Sequence, residues 1–243
     1  MQFHETNYKT IAGHTSPRKN VLLLSCMDLR LLDNLVAFMN FENLENRYDQ
    51  FILAGAAAGA MVMPSWRKAF FDHLVLAVGL HQIKYVYIVE HRDCGAYEEF
   101  FHKSYVHYDE VEGHNCYHLE EEHKDHTQQA FLLKAEIDKY CLERRQDPFP
   151  PDEDPISKPF RDIISRSHGE HPDPDSLKHL WNVEVRCYMM DLRGGVVWLD
   201  EFDDSTEEVE YEDHHHEHDH AEVASSLPKP AKPKAKPKSK RIV

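Results

Sequence analysis

The sequence contains no apolar run of the length that crosses a bilayer, so it predicts no membrane-spanning helix. Its first residues, MQFHETNYKTIAGH, lack the basic start and apolar stretch of a secretory signal peptide. Its five cysteines are scattered and include no C-x-x-C pair, which argues against a disulfide framework and against a redox dithiol. These absences predict a cytoplasmic protein, whose cysteines are more often catalytic, metal-bound or buried.

The acidic balance of the chain limits its partners. The 243 residues carry a formal net charge of −15, which argues against general nucleic-acid binding by the whole protein. Hydrophobic residues make up 41% of the sequence, enough for a soluble globular core. The length suits one large domain, or one domain with extensions.

Apolar runs and helical periodicities alternate along the first ninety residues. We predict strands at 21–26, 49–54 and 84–90, and helices at 30–42 and 65–81. Gly55 and Gly59 predict a close-packed loop after the second strand. Because strands separated by helices favour parallel pairing through right-handed crossovers, the predicted fold class is α/β, with a central, mostly parallel sheet flanked by helices.

The second half of the chain is less regular. Residues 103–126 are polar and rich in histidine, 127–145 have the pattern of a helix, and 146–175 hold seven prolines and many acids, which predicts a surface excursion. Residues 181–202 predict two strands that turn at Gly194 and Gly195. We therefore expect an N-terminal arm at 1–19 and a folded domain at 20–203 with an excursion at 103–175.

The composition changes after residue 203 and predicts disorder over 204–243, because neither half of this tail can bury a core. Residues 200–219 contain eleven Asp or Glu with histidines among them, and 228–241 contain seven Lys or Arg. The acidic, His-rich part is either a loose zinc or nickel reservoir or a solvated segment. The Lys/Pro-rich part either attaches to an acidic partner or folds back onto the acidic run.

Two stretches place metal-binding side chains where predicted strands end. VLLLSCMDLR ends its strand in Cys26, with Asp28 and Arg30 following, and VYIVEHRDCG ends in His91 and Cys94. Parallel strands deliver their carboxyl ends to one edge of a sheet, and a crevice opens where the strand order reverses. Two thiolates and an imidazole there suit zinc, and three protein ligands leave a fourth position open, as in catalytic zinc sites.

Each piece alone has a plainer interpretation. A cysteine at a strand end is usually a small buried hydrophobe, and Asp28 with Arg30 can be a surface ion pair. A cysteine phosphatase loop needs a longer spacer than the three residues between Cys26 and Arg30. Both stretches together, each at a strand end, favour the metal site. The other cysteines receive no role.

The same two stretches resemble the signature of β-class carbonic anhydrases, C-x-D-x-R followed by H-x-x-C-G. Here the signature reads CMDLR at 26–30 and HRDCG at 91–95. AVGLHQIKYVYIVEHRDCG is similar to the family's helix, loop and strand before the metal ligands, and VRCYMMDLRGGVVWLD is similar to its late strand pair. The resemblance covers most of residues 20–203.

The resemblance implies reversible hydration of carbon dioxide to bicarbonate by zinc-bound hydroxide, with Cys26, His91 and Cys94 as zinc ligands. Zinc lowers the pKa of its bound water from about 15.7 toward ~7. Arg30 is then expected to keep Asp28 ionised, and Asp28 to orient the bound water. The family also implies one antiparallel edge strand and a homodimer or higher homo-oligomer. Some members close the site by turning the Asp onto zinc, and the sequence leaves either state open.

The sequence departs from the family pattern at three positions. Ile52 and Leu53 stand where the family has Arg-Asn, and Glu90 stands where Gly is common before the ligand histidine. The altered pocket polarity leaves two other functions open. One is a related zinc hydrolase acting on carbonyl sulfide or carbon disulfide. The other is a non-catalytic protein of this type that binds metal or a partner.

Further histidines give two more predictions. A second metal site within 113–126 competes with ordinary surface clustering, and its candidate ligands are His114, Cys116, His118, His123 and His126. Proton transfer to bulk buffer has three candidate groups, His81, His102 and His107.

Overall fold

The structure is a computed structural model that describes residues 20–109 and 113–199. The predicted N-terminal arm at 1–19 and the predicted disordered tail at 204–243, with its His-rich and Lys/Pro-rich parts, lie outside the described residues. The last positions of the predicted 20–203 domain also lie outside them. No helix in the described residues is both long and apolar enough to cross a membrane.

The described residues form strands and helices in the following order. The strands are β1 (Val21–Cys26), β2 (Tyr48–Leu53), β3 (Tyr85–His91), β4 (Val106–Asp109), β5 (His114–Tyr117), β6 (Glu184–Met190) and β7 (Val196–Trp198). The α-helices are α1 (Leu32–Phe41), α2 (Ala56–Val62), α3 (Pro64–His81), α4 (Gly95–Phe101), α5 (Leu119–Gln146), α6 (Ser157–His168) and α7 (Pro174–Leu177). A short 3₁₀ helix (Lys178–Trp181) leads into β6.

Five strands make one sheet in the order β2-β1-β3-β6-β7. The pairs β1–β2, β1–β3 and β3–β6 are parallel, and β7 pairs with β6 antiparallel at one edge. The predicted coarse class, an α/β protein with a mostly parallel sheet flanked by helices, is confirmed. Every residue of β1 and β3 is buried, which explains why both strands begin with long apolar runs, because helices cover both faces of such a sheet.

Side chains alternate across the sheet and divide the core into two layers. Leu22 and Leu24 of β1 pack with α3, α5 and α6 on one face. Val21 and Leu23 pack on the other face with α1, where Leu35 and the Phe38 ring are buried. The chain runs from β1 outward to β2 and then returns past β1 to β3. The strand order therefore reverses between β1 and β3, and a crevice at their carboxyl ends is the expected result.

The close-packed loop predicted after β2 is wrong for most of its length, because residues 56–62 form helix α2. Alanines favour the helix despite Gly59 among them. Gly55 has φ +71°, a left-handed conformation that directs the chain from β2 into α2. Gly59 permits a close approach, since a Cβ there would lie 2.1 Å from the Ala54 carbonyl oxygen.

The interval after α4 contains more regular structure than the sequence predicts. Strands β4 and β5 form an antiparallel hairpin, and α5 begins at Leu119 rather than at 127. Its early start fits the acidic residues 120–122 in its first turn, which favour the positive end of the helix dipole. Within 146–175, which we predicted to lie on the surface, α6 buries Phe160, Ile163 and Ile164. Their helical spacing is hidden among polar residues and prolines.

Candidate metal centre

The neighbouring ends of β1 and β3 hold the predicted donor residues. Cys26 is the last residue of β1, and His91 is the last residue of β3. The parallel register pairs Ser25 with Val89, so the two strands end side by side. Cys94 follows one turn later, immediately before α4. The sheet topology therefore brings both sequence stretches to one crevice.

Cys26, His91 and Cys94 form a compact donor cluster. Their ligand atoms all lie within 4.8 Å of one another, and all three residues are buried. The two sulfur atoms are 3.9 Å apart, which is far beyond the ~2.05 Å of a disulfide bond. In the described part of the chain, this is the group of three or more such residues whose geometry can hold a metal ion.

The imidazole of His91 is oriented for ligation. Its Nδ1 lies 2.8 Å from the Arg92 carbonyl oxygen, which requires a proton on Nδ1 and leaves a lone pair on Nε2. Nε2 is buried and has no hydrogen-bond partner among the described residues. A buried nitrogen without a partner costs free energy. Because Nε2 belongs to the cluster with the two sulfurs, a cation there would satisfy it.

The two thiols influence each other's protonation. Hydrogen bonding with Cys94 lowers the pKa of the Cys26 thiol to about 4, against the opposing effect of burial. The same interaction, together with burial, raises the pKa of Cys94. The Gly55 N–H donates to Cys26 Sγ at 3.3 Å and further stabilises a thiolate. A divalent ion that binds here displaces the remaining thiol proton, because cysteine binds metals as thiolate.

Asp28 and Arg30 form a forked ion pair beside the cluster. Arg30 Nη2 donates to Asp28 Oδ2 at 2.6 Å, and Arg30 Nε donates to both carboxylate oxygens at 3.0 and 3.1 Å. The Arg30 backbone N–H adds a bond to Oδ1 at 2.9 Å. The side-chain hydrogen bonds from Arg30 lower the pKa of Asp28 to about 2. Asp28 is therefore an ionised carboxylate with a fixed orientation.

Asp93 is a site residue that the sequence reasoning missed. Its carboxylate accepts from Arg30 Nη1 at 2.7 Å, and its carbonyl oxygen accepts from Arg30 Nη2 at 2.9 Å. Arg30 thus spans the crevice between the two motif stretches. The available signal was the position of Asp93 between His91 and Cys94, where a polar residue can reach the opposite strand end.

A pocket of about 620 Å³ opens next to the cluster and is lined mainly by apolar side chains. Cys26, Cys94, Asp28 and Arg30 lie in its wall. The other lining residues are Met27, Leu29, Ala54, Trp66, Gly95, Ala96, Glu99 and Phe100. The departure at Ile52 and Leu53 affects this wall little, because neither residue lines the pocket and Leu53 packs against the core. The pocket suits a small, weakly polar molecule near the donor cluster.

The histidine predictions have separate outcomes. His118 Nε2 lies 3.0 Å from His107 Nδ1, whereas His126 is fully buried against Glu90. The described ligand atoms of segment 113–126 form no group that could hold a metal ion. The His114 side chain lies outside the described residues, so the second site stays a prediction. The proposed proton carriers His81, His102 and His107 do not line the pocket. His81 instead contacts Asp49 at 2.6 Å.

The chain was compared with known proteins, and the two relatives described below are uncharacterized. No family model matches the chain. An uncharacterized protein of Rickettsia bellii is 34% identical over 82 residues, which are 33% of this chain and 50% of that protein. An uncharacterized protein of Rickettsia conorii is 35% identical over 81 residues, 32% of this chain and 44% of that protein. The chain thus spans about half the length of the curated relatives it matches.

Proposed function

We propose that the protein is a zinc-dependent carbonic anhydrase, which reversibly hydrates carbon dioxide to bicarbonate, and that Cys26, His91 and Cys94 hold the zinc. The observation that carries the proposal is a buried S, N, S donor set beside a carboxylate that a guanidinium fixes at the wall of an apolar pocket. The motif resemblance described above supports the same function. A β-carbonic-anhydrase fold is part of the proposal.

The donor chemistry fits zinc better than other common cations. Thiolate and imidazole ligands select zinc over magnesium and calcium, which prefer oxygen. The unpaired Nε2 of His91 adds a specific structural reason for a cation at this point. Zinc, when bound, lowers the pKa of a coordinated water toward ~7 and so makes a hydroxide nucleophile available near neutrality.

The residues of this chain perform the remaining tasks. Asp28 accepts a hydrogen bond from the attacking water, which directs a lone pair at the carbon of carbon dioxide. Arg30 holds Asp28 in its ionised form and in one orientation. The apolar lining of the pocket receives the apolar substrate. The products are bicarbonate and one proton, and the proton leaves to solvent buffer.

Stopped-flow measurement of carbon dioxide hydration, on protein whose zinc content is known, tests the proposal. We expect activity proportional to bound zinc and abolished in Cys94→Ser, which removes a ligand sulfur. Fully zinc-loaded protein with a rate no greater than buffer would refute the enzyme and favour the non-catalytic alternative, a metal- or partner-binding protein.

A related zinc hydrolase remains the second candidate function. The apolar pocket walls from Met27, Leu29, Trp66 and Phe100 accept carbonyl sulfide or carbon disulfide, both small and apolar, as readily as carbon dioxide. Measuring sulfide release beside carbon dioxide hydration distinguishes the two reactions. Rapid sulfide release with slow hydration would select the hydrolase.

We also propose that the chain forms a homodimer or higher homo-oligomer. Met27 and Leu29 lie at the pocket and are 67% and 90% exposed, and exposed apolar groups at one place indicate an interaction surface. A mass of one chain in light scattering at micromolar concentration would contradict this. A cytoplasmic location is proposed for the same chain, supported by the free thiols of Cys26, Cys94, Cys141 and Cys187.

A further inference from the structure

Helix α5 holds the turn from His91 to Cys94, which precedes it in the chain. This turn carries two of the three donor residues. Asp93 has φ +57°, a left-handed conformation that Asp tolerates better than most residues but still at some cost. A turn of this kind keeps one geometry only when surrounding contacts fix it.

Glu122 of α5 supplies such contacts. Its carboxylate is buried, with a side-chain exposure of 4%. One oxygen accepts from the Asp93 backbone N–H at 2.5 Å, and the other accepts from Arg92 Nη1 at 2.8 Å. The same Arg92 nitrogen donates to the Leu119 carbonyl oxygen at 3.1 Å. A single buried carboxylate thus binds both residues that separate His91 from Cys94.

His126 makes the matching contact one helical turn later. Its Nδ1 lies 2.8 Å from Glu90 Oε2, and both residues are almost fully buried. The other Glu90 oxygen accepts from the Ala57 N–H at 2.8 Å. Residues four apart share one face of a helix. The face of α5 that carries Glu122 and His126 therefore contacts the residue before His91 and the two residues after it.

The contacts continue from the turn to the Asp28–Arg30 pair. Arg30 donates to both the carboxylate and the carbonyl oxygen of Asp93, whose N–H donates to Glu122. A displacement of the Asp93 peptide would therefore displace Arg30 and with it Asp28. The path Glu122–Asp93–Arg30–Asp28 is made of hydrogen bonds in which each pair includes at least one charged group, and such bonds are short and strong.

We propose that Glu122 is a positioning residue of the metal centre, which fixes the His91–Cys94 turn and aims the Asp28–Arg30 pair, with His126 holding the preceding residue. This inference depends on the proposed metal binding, but not on carbon dioxide as the substrate. Groups that orient metal ligands from outside the ligand set typically change metal affinity or activity 10–100-fold when removed.

The test compares Glu122→Ala and Glu122→Gln with the control Glu120→Ala in the full-length chain. Glu120 is exposed in the same first turn of α5. Two readouts are followed: the rate of zinc release to a chromophoric chelator, and the visible absorption of Co²⁺-loaded protein, which reports ligand geometry. Both are independent of turnover, so they remain valid even if the hydration activity is absent. Melting temperature is recorded for each variant.

We expect Glu122→Ala to release zinc on the order of 10–100 times faster and to change the Co²⁺ spectrum. Glu122→Gln keeps an oxygen for the Asp93 N–H but loses the charged bond to Arg92, and should release zinc about tenfold faster, at the low end of the range for Glu122→Ala. The control should match wild type. If Glu122→Ala does not fold, the isosteric Gln variant decides. Wild-type release and spectrum in the folded Glu122 variants, with only a lower melting temperature, would overturn the proposal and leave Glu122 a helix anchor.

Discussion

Replacing Asp28 by Asn separates the orienting role of the carboxylate from metal binding. Asn has the same shape, and Asp28 is not among the three donors of the cluster, so we expect one zinc per chain in the variant. Asn offers only one acceptor oxygen. It can keep the bonds that Arg30 now makes to Oδ1, but it loses those to Oδ2 at 2.6 and 3.1 Å and places an N–H group against the guanidinium.

The magnitude follows from these contacts. A hydrogen bond to a charged group contributes about 1.5–3 kcal/mol. If one such interaction with the attacking water is lost in the transition state, the turnover rate falls by roughly 10- to 150-fold at about 1.4 kcal/mol per tenfold change. The assay is stopped-flow hydration at saturating carbon dioxide, with zinc measured on the same sample.

A turnover rate within twofold of wild type, in an Asp28→Asn variant with full zinc content, would refute the orienting role. Loss of zinc in this variant would also contradict the reasoning, because it would make Asp28 a ligand. Arg30→Gln is the matched companion. It leaves the carboxylate in place but removes the fork, so it should lower the rate in the same direction with zinc retained.

Three other predictions concern metal content and stability. Cys94→Ser should reduce bound zinc from about one per chain to a small fraction of that value, as measured by mass spectrometry of metals. The control Cys116→Ser lies outside the cluster and should keep its zinc. Equal zinc in both variants would exclude Cys94 as a ligand. Removing zinc with dipicolinate should lower the free energy of unfolding, measured by urea denaturation. The expected decrease is about 4 kcal/mol relative to protein in free zinc at 1,000 times the dissociation constant. An unchanged free energy of unfolding would argue against a specific site. Gly59→Ala should destabilise by roughly 1–3 kcal/mol, because its Cβ would meet the Ala54 carbonyl oxygen at 2.1 Å. Gly95→Ala, with nothing within 4 Å of the added Cβ, should leave urea stability nearly unchanged.

The sequence was most informative where local pattern and sheet topology act together. Buried parallel strands are mostly apolar, so the change from apolar residues to Cys26 in β1 and to Glu90 and His91 in β3 marks the strand ends without an alignment. The rule that carboxyl ends meet at a reversal of strand order then brings the two ends together. Gly55 and Gly59 predicted a close-packed loop after β2. The left-handed conformation of Gly55 makes the turn there, but the helix that follows was missed because glycine is usually a helix breaker.

The contacts around the site depend on residues far apart in the chain. Glu122 and Asp93 are 29 positions apart, and His126 and Glu90 are 36 apart. No local periodicity predicts such pairs, and the composition of the polar, His-rich segment 103–126 is typical of an exposed surface. One signal was present in retrospect: Glu90 is a charged residue within a fully buried strand, and a buried carboxylate needs a partner. Glu122 and His126, spaced for one helix face, were available to supply it.

The central claim is that one divalent ion binds two sulfurs and one imidazole at the junction of β1 and β3. X-ray absorption at the zinc edge, on full-length protein dialysed to one zinc per chain, measures this directly. The account predicts two sulfur neighbours at about 2.3 Å and nitrogen or oxygen neighbours at about 2.0–2.1 Å. A spectrum with nitrogen and oxygen neighbours alone, or a chain that retains no zinc, would contradict it.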